Sequence, residues 1–265
     1  MSTKYKNSWS RISPSNPNFY SLTTTPKFGI GQRAILIKTP SHGNVLWDCL
    51  TLLDEATIDW VKSQGGLQAI VISHPHYYTS HLTWGYEFGC PVYISGLDVD
   101  WAQRDDVWGI RRLLSPEAKE IVPGVNAITT GGHFPGSLVL HTDASCEPEG
   151  VVQGEGQKSG RLFIADTLVT VPSALYSKNR PKGTTSYGFF WSIPNMIPLS
   201  PEAIKGIWKA LEPWEFGSTH GAFVGLDVGD EDGGGKVKER VKESMRIQAR
   251  GMGWEGSFGL GDDWP

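Results

Sequence analysis

The stretch Ala69-Ile70-Val71-Ile72-Ser73-His74-Pro75-His76-Tyr77-Tyr78-Thr79-Ser80-His81-Leu82 decides the fold. An apolar, β-branched run stops abruptly at a polar segment rich in histidine, which is the pattern of a buried strand delivering a loop. Side chains two apart on an extended chain share one face, so His74 and His76 are expected to point the same way and to be able to grip one metal ion. Taken alone, the pair is better read as two hydrogen-bonded loop histidines.

Three later segments each add a candidate ligand at the end of an apolar strand or in a glycine-bearing turn. They are Thr130-Gly131-Gly132-His133-Phe134-Pro135-Gly136-Ser137, Leu162-Phe163-Ile164-Ala165-Asp166-Thr167 and Gly217-Ser218-Thr219-His220-Gly221. Of the seven histidines in 265 residues, His74, His76, His81, His133 and His220 fall in these segments, leaving His42 and His141 outside. Taken in order, the segments resemble the metallo-β-lactamase fold superfamily, whose members carry His-x-His-x-Asp-His, then Gly-His-x-Pro-Gly-Ser, then an apolar strand ending in Asp, and a late His. The resemblance covers roughly Gln32 to Gly225. It implies an α/β fold, an αββα sandwich with metal ligands on loops at one sheet edge.

The same resemblance implies that His74, His76 and His133 form a first metal site, that Asp166 takes the place of a carboxylate bridging two metals, and that His220 belongs to a second. Tyr78 and Thr79 depart from it, because they stand where the family has an aspartate and a histidine of the second site. With only Asp166 and His220 left for a second ion, one ion is expected, and Asp166 is well placed to be its fourth ligand. His81 enters the set only if the loop bulges; otherwise it hydrogen-bonds locally in the first turn of a helix.

Imidazole nitrogens with a carboxylate suit zinc, with iron or manganese as alternatives. One ion is sufficient for hydrolysis, since it acidifies water and polarises a carbonyl. The expected function is therefore a metal-dependent hydrolase of an ester, thioester, lactone or lactam, with Asp166 helping to orient the nucleophile. Tyr78 is either a hydrogen-bond donor to an oxyanion or an aromatic plug; an ordinary phenol, with pKa near ~10, is a poor base. Trp84, Phe134, Tyr187, Phe189, Phe190 and Trp191 are the expected pocket for a small-molecule substrate of apolar or aromatic character. With 11 tryptophans in the chain, much of the aromatic content must also be core. Two competing readings are a non-catalytic member that binds a ligand or partner, and a mononuclear iron site with two histidines and one aspartate, resembling persulfide dioxygenases.

Composition narrows the field further. A hydrophobic content of 39% allows one large domain with a well-buried core. A net charge of -4 without a basic stripe argues against nucleic acid as a partner. No run approaches the ~20 apolar residues of a membrane helix and the N-terminus lacks a secretory pattern, so a cytoplasmic protein with no membrane partner is expected. Three cysteines at unrelated spacings read as reduced thiols.

Residues 1–21 read as a polar arm ahead of a domain over 22–265. Within that domain the expectations are a hairpin of Arg33–Lys38 with Val45–Leu50, and helices capped by Asp54, by Thr79 or Ser80, and by Ser200. Strands are expected near 68–73, 91–94, 119–129, 137–142 and 161–165, with a last helix at about 236–250. Residues 143–160 and 226–235 read as a loop and a connector, and 170–199 as irregular.

Overall fold

The structure, a computed structural model, describes residues 4–148, 160–175, 181, 183–229 and 237–254. Strands β1 (Lys6–Arg11), β2 (Phe19–Thr25), β3 (Ala34–Thr39) and β4 (Gly43–Trp47) form an antiparallel run. Helix α1 (Glu55–Ser63) crosses to β5 (Ala69–Val71), parallel to β4, and α2 (His81–Phe88) crosses to β6 (Val92–Ser95), which is followed by β7 (Arg111–Leu114). These seven strands lie in sequence order in the first sheet.

The chain then enters a second sheet through β8 (Lys119–Val122), β9 (Val125–Thr129), β10 (Leu138–Thr142) and β11 (Gly160–Ala165). Two short ladders follow, β12 (Val169–Thr170) with β13 (Tyr187–Gly188) and β14 (Phe190–Ser192) with β15 (Ile197–Pro198). Helix α3 (Pro201–Leu211) precedes β16 (Phe216–Gly221) and β17 (Asp227–Gly229), which complete the second sheet, and α4 (Val237–Gly251) follows.

Strand alternation sorts the apolar side chains into layers. Ile35, Ile37 and Val45 meet Leu138, Leu140 and Phe163 between the sheets. Their neighbours Leu36, Leu46 and Ile70 turn outward, in one cluster with Val61 of α1 and Trp84 of α2. Val139, Leu162 and Ile164 turn outward on the other side, onto Ile207 of α3 and Val241 and Met245 of α4. Each sheet thus buries both faces, and the result is the αββα sandwich. Among the described residues no helix is long and apolar enough to cross a membrane.

Most local signals act as expected. Asp54 accepts from Thr57 N at 2.9 Å, and Gly65 and Gly66 leave α1 at φ 106° and 72°. Ser200 accepts from Ala203 N at 3.3 Å with Pro201 in the first turn. Ser80 precedes α2 without capping it, because its hydroxyl donates to Leu50 O at 2.8 Å. Within the expected 143–160 loop and 226–235 connector, 149–159 and 230–236 lie outside the described residues, whereas 227–229 form β17.

The polar lead-in departs from its reading as an arm, because β1 and β2 pair from Lys6↔Thr25 to Arg11↔Tyr20 at the sheet edge. Asn7 anchors them. Its side chain donates to Leu52 O (2.9 Å) and Thr57 Oγ1 (3.0 Å), and its backbone N–H donates to Asp54 Oδ2 (2.9 Å). One carboxylate therefore caps α1 and holds β1. Asp54→Ala should cost about 1–2 kcal/mol in urea unfolding, the upper range for a lost cap; an unchanged midpoint would show that Asp54 ties nothing down.

Candidate metal centre

Four side chains from three loops converge at the end of the strands. His74, His76, His133 and Asp166 each offer one ligand atom, and these atoms all lie within 4.8 Å of one another. Asp166 Oδ2 is 3.5 Å from His74 Nε2 and 3.9 Å from both His76 Nδ1 and His133 Nε2. His74 Nε2 and His76 Nδ1 are 3.1 Å apart.

The first two ligands meet for a different reason than strand alternation. Strand β5 ends at Val71, and Pro75–Tyr77 form one turn of 3-10 helix, so His74 is the extended residue before that turn and His76 lies inside it. His133 follows Gly131 and Gly132, at φ 67° and 89°; a Cβ at Gly132 would lie 2.8 Å from Ile207 Cδ1, so only glycine lets the turn pass α3. Asp166 follows Ala165 at the end of β11, a non-glycine residue held at φ 41°. The loops are fastened to each other: Leu138 N donates to Ser73 O at 2.8 Å, and the Thr130 and Thr167 hydroxyls are 3.3 Å apart.

Hydrogen bonds on the far side of the rings decide which nitrogens face inward. Asp48, buried at the end of β4 with φ 58°, accepts from Ser73 N at 2.8 Å and Ser73 Oγ at 3.0 Å. Burial pushes its carboxyl up to about 7 against these two bonds. Above that pH the Ser73 proton is committed to Asp48, so Ser73 Oγ accepts from His74 Nδ1–H at 2.8 Å and leaves a lone pair on His74 Nε2. His133 Nδ1 donates to Phe190 O at 3.1 Å, which leaves a lone pair on its Nε2, a buried atom with no hydrogen-bond partner.

Burial lowers the His74 pKa, with Asp166 opposing and the other two histidines assisting. Burial raises Asp166, but the imidazoles of His74 and His76 outweigh it and hold the carboxyl well below the usual range. The unpartnered His133 Nε2 and the Asp166 carboxylate thus lie 3.9 Å apart, and a cation between them would satisfy both. Three imidazole nitrogens and one carboxylate fit a divalent metal ion.

The other expected site residues lie elsewhere. His220, on β16, donates from Nδ1 to Asp227 Oδ1 at 2.8 Å and stacks on Phe163, so it is committed to that hydrogen bond and the inter-sheet core. Tyr78 is buried among the apolar residues beneath the first sheet, with no partner for its hydroxyl, and this favours the plug over the catalytic donor. His81 takes the local option, bonding Tyr78 O through Nδ1 and receiving a bond from Arg111 Nε at 3.3 Å on Nε2.

Of the expected pocket, Trp84, Tyr187 and Phe189 are fully buried core, where the Trp84 indole donates to Leu50 O and the Tyr187 hydroxyl meets Thr219 Oγ1, both at 2.8 Å. Trp191 is exposed, and Phe190 serves the site through its carbonyl. Phe134 is the one whose ring meets the histidines. Asp48 was missed, although its apolar run ending in Asp repeats the signal that marks Asp166. Ser73 and Trp101 carried no local signal.

No protein-family model matches the chain. Among solved structures, a B3 metallo-β-lactamase with an active-site glutamic acid aligns with a TM-score of 0.51 at 15% identity, over 93% of this chain and 91% of that one. A flavoprotein from Thermotoga maritima aligns with a TM-score of 0.53 at 11% identity, over 91% of this chain and 61% of that longer one. The architecture is the metallo-β-lactamase fold. By sequence, the uncharacterized protein YmaE of Bacillus subtilis (strain 168) is 33% identical over 232 residues, 88% of this chain and 73% of that protein, and the chain belongs to its family.

Two outcomes follow from this geometry. Asp48→Asn or Ser73→Ala should weaken zinc binding by about 10–100-fold in chelator competition at pH 8, the usual cost of losing a group that orients a ligand; unchanged affinity would mean the Asp48–Ser73–His74 chain sets nothing. Burial lowers the His81 pKa from 6.5 to about 4. The unfolded chain therefore binds more protons between these values, and the His81 contribution to stability, complete above pH 6.5, fades as pH falls towards 4. The stability gap between wild type and His81→Gln should shrink over that interval; a constant gap would contradict it.

Proposed function

We propose that the chain is a metal-dependent hydrolase of small carbonyl compounds: an ester, thioester, lactone or lactam. The observation that carries this reading is the buried, unpartnered His133 Nε2 facing Asp166 and two further imidazoles. The likeness to a B3 metallo-β-lactamase supports it at the level of fold. His74, His76 and His133 would hold one zinc ion beside Asp166, with iron or manganese as substitutes. When bound, such an ion supplies Lewis acidity and makes water acidic enough to lose a proton near neutral pH.

The chain's own residues do the rest. Asp166, kept ionised by its imidazole neighbours, is the group that accepts a hydrogen bond from the attacking water and so orients it. The bond from His133 Nδ1 to Phe190 O and the one from His74 Nδ1 to Ser73 Oγ keep those rings from turning. His76, with its side chain 57% exposed, marks the side from which substrate enters. The burial of Tyr78 favours a second reading, a binding protein that kept part of the site without turnover.

Protein purified without chelator should contain about one equivalent of metal, and His133→Ala should lose most of it together with hydrolysis of any ester, thioester, lactone or lactam that the wild type turns over. Less than about half an equivalent in the wild type would remove the metal reading. Full metal content with no turnover across the panel would favour the binding protein.

A further inference from the structure

The cluster opens to solvent at His76, since His74 and His133 are buried. Beside that opening stands Phe134, its ring centroid 5.0 Å from His76, 5.1 Å from His133 and 5.7 Å from His74. Trp101 meets Phe134 edge-on, at 5.5 Å and 83°. Trp101 is nevertheless 58% exposed. An indole left in water forgoes burial that would have stabilised the fold, so folding alone gives no reason for a large aromatic at this position.

The exposed ring sits on a well-anchored support. The turn Gly96–Trp101 opens with Ser95 Oγ accepting from Leu97 N at 3.2 Å. Asp98, buried in the same turn, accepts from Gly136 N with both carboxylate oxygens at 3.1 Å, which fastens the turn to the loop bearing His133 and Phe134. A Cβ at position 136 would lie 2.2 Å from Ser95 Oγ, so glycine is what allows this approach. Phe134 N in turn donates to Ser137 Oγ at 2.8 Å. Trp108, also exposed, packs on Tyr86 at 4.3 Å and has no ring contact with the histidines.

We infer that Trp101 is a specificity-determining residue of this site, and that the substrate carries a planar aromatic ring on a short linker from the hydrolysed carbonyl. The inference rests on the hydrolase reading for the carbonyl and on the Trp101–Phe134 wall for the ring. Edge-to-face and offset contacts favour an aromatic over an alkyl group of similar size. The linker is short because Phe134 lies against the ligand rings and Trp101 one ring beyond it.

The test uses product-like acids, so that it reads binding whether or not the chain turns over esters. Zinc-loaded wild type, Trp101→Phe and Trp101→Ala are titrated calorimetrically with phenylacetate, cyclohexylacetate and acetate, after metal content has been measured in each. Wild type should bind phenylacetate about ten-fold more tightly than acetate and more tightly than cyclohexylacetate. Trp101→Phe should keep that order, and Trp101→Ala, with metal content unchanged, should lose it. The same order in Trp101→Ala, or no preference in wild type, overturns the inference. A Trp101-dependent preference without ester hydrolysis in wild type would leave the inference standing and refute the hydrolase reading.

Discussion

The structure depends on one electrostatic constraint: a half-buried carboxylate and three imidazoles are held with their ligand atoms within 4.8 Å of one another. Such a group of side chains disperses unless the backbone prevents it. Here the backbone does so through loop-to-loop bonds, Ser73 O to Leu138 N and Thr130 to Thr167, and through bonds behind the rings, Ser73 to His74 and Phe190 to His133. The αββα core supplies rigidity. It brings the ends of β5 and β11 and the turn after β9 to one edge, where a displacement of a few tenths of an ångström would also disturb apolar layers packed on both faces of each sheet.

A second polar network surrounds His220. Arg33 donates to Asp227 at 2.6 and 3.1 Å, Asp227 accepts from His220, and Arg161 reaches His220 at 3.5 Å while pairing with Glu147. Arg33 precedes β3 and Asp227 opens β17, so this network ties the first sheet to the edge of the second. His220 spends both ring nitrogens inside this network, on Asp227 and on Arg161. Tyr78 is likewise committed, its ring joining the apolar layer beneath the first sheet.

What was legible in the sequence and what was not divides along the range of the interactions. His74, His76, His133 and Asp166 could be read because each ends an apolar run or follows turn glycines, and these are local signals. The helices opening after Asp54 and Ser200 were legible for the same reason. Strand β1 was not, because an edge strand with polar residues on both faces lacks alternation and is held by Asn7 reaching 45 to 50 residues along the chain. The roles of Trp84, Tyr187 and Phe189 were misread because aromatic residues serve core and pocket alike, and only tertiary contacts distinguish the two. His220 was misread because its choice of partner lies with Asp227, on the next strand.

The number of available donors limits the chemistry. The four converging side chains serve one ion, and among the described residues no further imidazole or carboxylate joins them. Phosphodiester cleavage commonly uses two ions to bracket the attacking and leaving oxygens, an arrangement this cluster does not supply. Acyl transfer asks less: one electrophilic centre, one carboxylate to orient the nucleophile, and a surface to hold the acyl or leaving group while the bond breaks. On the proposed reading, His74, His76 and His133 hold that centre, Asp166 orients the nucleophile, and the aromatic pair at Phe134 and Trp101 offers the surface. A single-ion site of this kind therefore fits an activated carbonyl better than a phosphate ester.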